Sequence, residues 1–315
     1  MTRKVIIDCD PGVDDAVALC LALFDPTIEV MAVTAVEGCV AADQANQNLH
    51  GIIERLDPPK LPRIGAASPA ENAPAVDTRS LHGDDGLANL GLEVPRFNHP
   101  HASEKLILDV VRAFPGEVTI VTLGPLTNVA RAFRRDPVLA SQVGALVMTG
   151  GSPCCVGNIT PCAEFNVFYD PVSAREVFRS RTTKTLIPLD ITRQVAFGLD
   201  LMDKLPSSDS RVGRFLRSLV PFFFRAYHQR LAQESINLND AVGMIAALHP
   251  EMFHAEEMAG DVEWTGELTR GVTVFDRRPH PEWRPNMDVA LDVDVERVTE
   301  AILRGLHTAG DATRN

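Results

Sequence analysis

Short apolar runs rich in β-branched residues alternate with amphipathic segments along the first two thirds of the chain. The apolar runs predict buried strands, and the segments with apolar residues on one face predict helices. The predicted strands are Val5–Asp8, Glu29–Val36, Glu117–Leu123, Ala145–Thr149 and Thr185–Leu189. The predicted helices are Ala16–Phe24, Ala41–Leu56, Leu126–Arg134 and Asp170–Phe178.

This alternation of strands and helices predicts parallel βαβ units with right-handed crossovers. The fold class is therefore α/β, with an open, mostly parallel central sheet and helices on both faces, similar to a Rossmann fold. Ligands of such sheets bind at the carboxyl ends of the strands. Residues that carry chemistry should therefore cluster where the predicted strands end.

The last third of the chain has a different pattern. Its predicted helices are Arg211–Leu231, which contains Phe222, Phe223, Phe224 and Tyr227, then Asn239–Leu248 and Val295–His307. Its predicted strands are Asp261–Trp264, Val272–Phe275 and Met287–Val293. The Pro- and Gly-rich stretches 57–74 and 276–286 read as surface loops and lack the composition of a flexible linker. We therefore expect one domain over residues 1–315, with about 205–315 decorating its core.

Composition and charge narrow the functional classes. The chain has 315 residues and a formal net charge of −12, which disfavours nucleic acid and anionic membranes as partners. The N-terminal apolar run is too short for a signal peptide, and no segment has the roughly 18 apolar residues that cross a bilayer. We expect a cytoplasmic protein. Its six cysteines, 9, 20, 39, 154, 155 and 162, lack CxxC spacing and are expected to be reduced thiols.

Four carboxylates fall within eight residues at the N-terminus, at the end of a strand and the start of a helix: Asp8, Asp10, Asp14 and Asp15. Capping of the helix accounts for one of them, because the free N–H groups of a helix N-terminus stabilise an anion. It does not account for four, since like charges packed this tightly repel unless a cation or a proton intervenes. Oxygen-only ligation suits a hard cation such as calcium or magnesium. The cluster therefore predicts a metal site.

One alternative reads Val5–Asp10 as the nucleophile motif of a phosphatase of the haloacid dehalogenase type. That motif needs DxDx followed by Thr or Val, and Gly12 stands at the last position here. It also does not require Asp14 and Asp15. The alternative stays open on the pattern alone.

Several segments together resemble the inosine-uridine preferring nucleoside hydrolase family. The N-terminal stretch DCDPGVDDAVAL is similar to the family fingerprint DxDxGxDDxxA. Further matches follow in family order: HGDDGL at 82–87, LGPLTN at 123–128, TGG at 149–151, EFN at 164–166 with DP at 170–171, NDA at 239–241 and ELTRG at 267–271. They run through nearly the whole chain. The resemblance implies hydrolysis of the N-glycosidic bond of a ribonucleoside to free base and ribose.

The resemblance also implies a calcium ion bound by Asp10, Asp15, Asp240 and the carbonyl of Leu123. Asp10 would double as the base that activates a calcium-bound water, because calcium acidifies water less strongly than zinc does. The residues implied to contact the ribose are Asp14, Asn158, Glu164, Asn166 and Asp240. A small ribonucleoside is the expected partner, and the family implies a homodimer or homotetramer.

The sequence offers several candidates for the residue that stabilises the leaving base, and it does not single out one of them. His82 is a candidate because it lies in a loop of Gly and Asp, and Tyr227 and His228 lie on the aromatic helix. The family usually has His before the metal aspartate, where this chain has Asn239, and Asn after Glu37-Gly38, where it has Cys39. Thr149 replaces a Met that the family uses through its backbone.

Three hypotheses follow from these departures. The first is an active hydrolase with a shifted preference towards pyrimidines, whose departure needs less protonation. The second is a weak hydrolase of an unusual nucleoside. The third is a non-catalytic, calcium-dependent nucleoside or ribose binder. Retention of Asp10, the presumed base, favours the two enzyme hypotheses, since a pure binder has little use for it.

Overall fold

A nine-stranded sheet forms the centre of the molecule in the computed structural model, which describes residues 2–71, 73–92, 94 and 101–314. The strands of the chain are β1 (Arg3–Cys9), β2 (Ile28–Ala35), β3 (Arg63–Ala66), β4 (His101–Ala102), β5 (Val118–Thr122), β6 (Ala145–Thr149), β7 (Lys184–Ile187), β8 (Ala196–Phe197), β9 (Ile236–Asn237), β10 (Phe253–Met258), β11 (Gly260–Val262), β12 (Thr273–Phe275) and β13 (Met287–Val293). The central sheet has the order β10-β13-β7-β6-β5-β1-β2-β3-β4. Its neighbouring strands are parallel except for the antiparallel pair β10 and β13, which confirms the predicted fold class.

Helices cover both faces of this sheet. They are α1 (Val13–Ala22), α2 (Ala42–Leu56), α3 (Arg79–His82), α4 (Ser103–Ala113), α5 (Thr127–Arg135), α6 (Phe165–Tyr169), α7 (Pro171–Arg179), α8 (Leu189–Thr192), α9 (Leu201–Lys204), α10 (Arg211–Ala226), α11 (Asn239–Leu248) and α12 (Val295–Ala312). Two 3-10 turns (Leu139–Ser141 and Pro250–Met252) and a π-helical turn (Tyr227–Leu231) complete the helical elements. No helix in the described ranges has the length and apolar character needed to cross a membrane.

The side chains of β1 alternate between two hydrophobic cores, because successive residues of a strand point to opposite faces. Val5, Ile7 and Cys9 belong to the core that packs under α1, α10, α11 and α12. Ile6 belongs to the core on the other face, formed with α4, α5 and α7. Both faces of the central strands are therefore buried, which explains their nearly continuous apolar sequences.

Element boundaries differ from the prediction in two instructive places. Helix α1 begins at Val13 rather than Ala16, because Asp15 accepts a hydrogen bond of 2.9 Å from the N–H of Gly12 and satisfies an otherwise free donor at the helix start. The stretch 57–74, predicted as a loop, contains strand β3, three of whose four residues pair with β2 inside the sheet. Short strands bounded by proline and glycine have too little periodicity to be recognised.

The last third of the chain contributes to the central sheet as well as to its surroundings. Strand β13 pairs with β7, and β10, which the sequence pattern did not predict, forms the sheet edge. The predicted strands at 261–264 and 272–275 form the separate hairpin β11-β12. Helix α11 packs against α1, so its first turn meets the N-terminal aspartate cluster.

Candidate active site

A cavity of about 450 Å³ opens at the carboxyl ends of β1, β5 and β6, where the strand-end argument places the chemistry. It is lined by all but one of the residues to which the sequence assigned a catalytic, substrate-binding or metal-binding role. These are Asp10, Asp14, Asp15, Cys39, His82, Leu123, Thr149, Asn158, Glu164, Asn166, Tyr227, Asn239 and Asp240.

His228 is the exception. Its side chain is 63% exposed and lies 3.2 Å from the carboxylate of Glu234, outside the cavity lining. Successive residues of a helical turn point in different directions, so the π-helical turn that directs Tyr227 inwards directs His228 to solvent. The expected substrate contact of His228 therefore has no support from its position.

Three buried carboxylates meet at one end of the cavity. Oxygen atoms of Asp14, Asp15 and Asp240 all lie within 4.8 Å of one another. Asp14 and Asp15 lie in the first turn of α1 and Asp240 in the first turn of α11, so both helix N-termini direct N–H dipoles towards the cluster. Sequence motifs predicted Asp15 and Asp240 as metal ligands and Asp14 as a ribose contact; the structure joins all three.

This arrangement is costly for a protein without a cation. Burial raises the pKa of Asp14 to about 6 and, together with the neighbouring charge of Asp14, raises the pKa of Asp15 to about 7. Burial and the surrounding aspartates also raise the pKa of Asp240 well above its ordinary value. The second oxygen of Asp15, Oδ1, is buried without a hydrogen-bond partner. Crowded, buried carboxylates with a free oxygen fit a hard metal ion.

Asp10 lies beside this cluster, directly after β1. Its Oδ2 accepts a hydrogen bond of 2.8 Å from the N–H of Cys39. Two glycines without side chains allow the backbone to pass close to the Asp10 carboxylate. A Cβ at Gly38 would lie 2.2 Å from Oδ2, and one at Gly124 would lie 2.5 Å from Oδ1. Burial and the charge of Asp15 raise the pKa of Asp10 well above its usual range. Asp10 is thus fixed by its neighbours without an ion pair.

Leu123 and Thr149 end adjacent strands, and the amide of Asn166 bridges their carbonyls. Asn166 Nδ2 lies 2.7 Å from the carbonyl oxygen of Leu123 and 3.1 Å from that of Thr149. A carbonyl oxygen has two lone pairs, so the predicted metal-binding carbonyl of Leu123 keeps acceptor capacity. The hydroxyl of Thr149 is itself buried without a hydrogen-bond partner.

Glu164 caps α6. Its Oε1 accepts from the N–H of Asn166 at 2.9 Å, and its Oε2 accepts from Gly151 at 2.9 Å and Val167 at 3.1 Å. Three N–H donors therefore hold this buried carboxylate at the cavity wall, although burial still raises its pKa. Asn158 uses its Oδ1 to accept from Phe165 N–H at 2.8 Å, which leaves its NH₂ group available at the mouth of the cavity.

His82 forms part of the opposite wall with Phe223 and Tyr227. Its Nδ1 accepts a hydrogen bond of 3.4 Å from the N–H of Val13, so the proton of the neutral ring is on Nε2. Burial lowers the pKa of His82 to about 4, which keeps the imidazole neutral at pH 7. Its ring centroid lies 5.6 Å from that of Phe223, which in turn lies 4.8 Å from Tyr227. Together they form an apolar wall with one N–H donor.

The two departures from the family pattern both lie in this cavity. Cys39 donates its thiol hydrogen to the carbonyl of Asp10 at 2.7 Å, and burial raises its pKa well above the ordinary value, so it remains a neutral thiol. The side-chain oxygen of Asn239 is buried without a hydrogen-bond partner. An amide cannot give up a proton near neutral pH, so Asn239 can orient a base but cannot protonate it.

Asp8, the remaining carboxylate of the N-terminal cluster, lies behind the cavity and supports it without lining it. Its Oδ1 accepts from the hydroxyl of Thr34 at 2.5 Å and from Asn128 Nδ2 at 2.8 Å. Asn128 also reaches the carbonyl of Ala35 at 2.8 Å, so the last residue of the LGPLTN segment ties helix α5 to strands β1 and β2. Burial raises the pKa of Asp8 to about 7.

Sequence reasoning missed several lining residues, above all Arg193 and the 76–78 segment. Phe223 belongs both to the hydrophobic core and to the cavity wall. Arg193 belongs to no recognised motif, and nothing in its local sequence distinguishes it from a surface arginine. Only the three-dimensional arrangement places it at the cavity.

Comparison with known proteins agrees with this geometry. Residues 5–300 match the family model described as inosine-uridine preferring nucleoside hydrolase. The probable uridine nucleosidase 1 of Oryza sativa subsp. japonica is 34% identical over 305 residues, covering 94% of both chains. The inosine-uridine preferring nucleoside hydrolase of Crithidia fasciculata is 30% identical over 316 residues, covering 99% of both.

A solved structure extends the similarity to the whole fold. The plant nucleoside hydrolase PpNRh1 superimposes with a TM-score of 0.90 at 30% identity, covering 98% of this chain and 99% of that one. The phosphatase alternative is therefore wrong, because the match extends far beyond the N-terminal motif that suggested it. The protein is a ribonucleoside hydrolase, an enzyme that acts on N-glycosyl compounds, and the chain belongs to the inosine-uridine preferring nucleoside hydrolase family.

Proposed function

We propose that this enzyme cleaves pyrimidine ribonucleosides in preference to purine ribonucleosides, with a calcium ion at the aspartate cluster and Asp10 as the general base. The observation that carries the proposal is the meeting of buried carboxylates at two helix N-termini, with one oxygen of Asp15 unpartnered. Asp10, Asp15, Asp240 and the carbonyl of Leu123 are the proposed calcium ligands. The all-oxygen donor set suits calcium.

A bound divalent cation orients a water molecule and lowers its pKa. In the proposed reaction, Asp10 accepts the proton of the attacking water. One of its oxygens is held by Cys39 N–H, which fixes the carboxylate and leaves the other oxygen for proton transfer. The ribose develops positive charge as the glycosidic bond breaks. The surrounding carboxylates, Asp14 among them, stabilise that charge.

Ribose recognition is assigned to residues that the protein already holds in place. Asn158 keeps a free NH₂ group at the cavity mouth, and Glu164 and Asn166 are fixed by backbone contacts on the wall. Donors and acceptors at fixed positions select a sugar that carries hydroxyls, because an analogue without them leaves buried groups unpaired. We therefore propose selection of ribose over deoxyribose.

The preference for pyrimidines rests on the base-facing wall. Asn239 has no proton to give, and the pKa of His82 is about 4, so neither residue is an effective acid near neutral pH. A purine leaves readily when it is protonated, whereas a pyrimidine needs less of this help. The rice relative is named a probable uridine nucleosidase, which supports the proposed preference for pyrimidines. The neutral Nε2–H of His82 and the Asn239 amide would orient the base by hydrogen bonds.

The test is release of free base and ribose from uridine, cytidine, inosine, adenosine and 2′-deoxyuridine. Each reaction is run after removal of metal with a chelator and again with added calcium. We expect uridine cleavage that requires calcium, slower inosine cleavage and still slower deoxyuridine cleavage. Equal rates with and without calcium would contradict the metal assignment, and faster inosine cleavage would contradict the base preference. Magnesium in parallel distinguishes the two hard cations.

Assembly as a homodimer or homotetramer, a cytoplasmic location and a single domain over residues 1–315 stay predictions. Sedimentation of the purified protein tests the first of them.

A further inference from the structure

Arg193 is the one lysine or arginine among the described residues that line the active-site cavity, which is otherwise rich in carboxylates. It follows helix α8 directly. Its guanidinium forms no salt bridge with a carboxylate of the described residues. It donates instead to two successive main-chain carbonyls, Val156 at 2.5 Å through Nη1 and Gly157 at 2.9 Å through Nη2. A planar guanidinium suits such a paired contact, since its donors form a rigid fork.

The loop that receives these hydrogen bonds leads directly to Asn158. Asp190, within α8, accepts from the N–H of Cys155 at 3.0 Å, so α8 and the arginine that follows it hold the loop at three consecutive residues. The next residue, Asn158, is exposed at the cavity mouth. Its Oδ1 accepts from Phe165 N–H and its backbone N–H donates to the carbonyl of Ala163 at 3.2 Å, whereas its NH₂ group has no hydrogen-bond partner among the described residues. The position of its NH₂ group therefore depends on the loop that Arg193 holds.

The backbone that follows the C-terminus of α8 is joined to another part of the cavity wall. The amide nitrogen of Asn237, in β9, lies 3.2 Å from the carbonyl of Arg193 and 3.1 Å from that of Val195. Strand β9 ends shortly before Asn239 and Asp240. Arg193 is thus anchored by its own backbone to the segment that carries the metal-site aspartate, while its side chain holds the Asn158 loop.

We propose that Arg193 is a positioning residue for Asn158, and that it fixes the distance between the ribose-binding loop and the aspartate cluster. The inference rests on the proposed function, which assigns Asn158 to the ribose. Arg193 itself would touch neither the ribose nor the base. Its effect on the reaction would pass through the 156–158 backbone.

The first test compares Arg193→Gln with Arg217→Gln. Arg217 is a matched control, because it also donates to main-chain carbonyls, those of Met202, Leu205 and Pro206, and it does not line the cavity. We expect Arg193→Gln to raise the KM for uridine about tenfold, the value of one lost hydrogen bond of ordinary strength, with a smaller change in kcat. Arg217→Gln should lower the melting temperature and leave KM unchanged. Equal kinetics in the two folded variants would overturn the inference.

A second test asks whether Arg193 acts through Asn158. Asn158→Ala and the double variant Arg193→Gln/Asn158→Ala should have the same kcat/KM for uridine within about twofold, because a positioning residue has no effect once its target is gone. Independent, multiplying losses would contradict the proposal. Arg193→Lys keeps the charge but loses the fork, and it should recover only part of the loss. This lysine variant also serves if Arg193→Gln does not fold.

Hydrogen exchange separates this inference from the proposed function. Without any nucleoside, the amides of residues 155–159 should exchange faster in Arg193→Gln than in the wild type, and those of α10 should not. If the wild type cleaved no nucleoside, the proposed function would fail while the exchange data still showed whether Arg193 holds the loop. Unchanged exchange at 155–159 would overturn the positioning role.

Discussion

The side-chain amide of Asn166 donates a hydrogen bond of 2.7 Å to the main-chain carbonyl of Leu123. This contact joins a residue assigned to the ribose with a carbonyl assigned to the metal. The same amide reaches Thr149 across the adjacent strand. In the proposed function, sugar binding and metal binding would therefore share one polar bridge at the end of the sheet.

Replacing Asn166 tests this bridge. We expect Asn166→Ala to lower kcat/KM for uridine about 100-fold, the cost of a small misplacement of reacting groups, and to weaken calcium binding at the same time. Isothermal titration with calcium and steady-state kinetics measure the two effects. Asn166→Asp should not restore activity, because a carboxylate cannot donate to either carbonyl. A loss of ribose affinity with normal calcium binding would show that the bridge does not couple the sites.

Asp10 is the proposed base, and Asp10→Ala should reduce kcat by at least about 10³-fold while the protein stays folded. Circular dichroism and thermal unfolding provide the control for folding. Activity within tenfold of the wild type would show that another group takes the proton.

Gly38 offers a less direct test of the same carboxylate. A Cβ at this position would lie 2.2 Å from Asp10 Oδ2, so Gly38→Ala must displace the carboxylate. We expect a loss of about 100-fold in kcat/KM. Gly116→Ala is the control, since Gly116 has a φ of +78° but no atom within 4 Å of an added Cβ. That variant should lose stability and keep its kinetics.

The aspartate cluster predicts how the stability of the metal-free protein depends on pH. Burial raises the pKa of Asp14 to about 6 and of Asp15 to about 7, from 3.8. Between these values the folded protein binds more protons than the unfolded chain, so stability falls as the pH rises from about 5 to about 8.

Thermal unfolding with a chelator and with calcium, at about pH 5 and about pH 8, measures this linkage. Calcium should add more stability at the higher pH, where the carboxylates are charged and protons no longer compete. Asp15→Asn should flatten the dependence in the chelated protein. A metal-free protein that became more stable towards pH 8 would contradict the linkage.

In the proposed function, the residue at position 239 influences whether purine or pyrimidine nucleosides are cleaved faster. Asn239→His introduces a group that titrates near neutral pH beside the base wall. We expect inosine cleavage to rise about tenfold or more relative to uridine cleavage. Asn239→Gln keeps a neutral amide and should leave the ratio nearly unchanged. An unaltered ratio in the histidine variant would show that the base is protonated from elsewhere.

Much of the site could be predicted because its chemistry is local in sequence. Asp10 and Asp15 follow one strand, and Glu164 and Asn166 start one short helix, so each group was recognisable from its own segment. The crowding of carboxylates already indicated Asp14 as part of the cluster, whereas the meeting with Asp240 depends on the fold, because α1 begins at Val13 and turns both aspartates towards α11.

What could not be predicted depended on contacts distant in sequence or on the exact direction of a helical turn. Arg193 was not predicted because its side chain donates to main-chain carbonyls that lie 36 and 37 positions earlier in the sequence. Tyr227 and His228 are adjacent, and only the rotation of the π-helical turn decides which of them faces the cavity. Strand β3 is defined by pairing with β2 rather than by its own composition.

The meeting of α1 with α11 has a consequence for how the enzyme matures. Asp15 and Asp240 are about 225 positions apart in the sequence, and loop closure over that length is slow and entropically unfavourable until most of the sheet is in place. A nascent or truncated chain that lacks α11 has only one half of the carboxylate cluster. In the proposed function, ion uptake would therefore require a chain that has been made through α11 and has folded that far, and a chain that stops earlier would be neither loaded nor active.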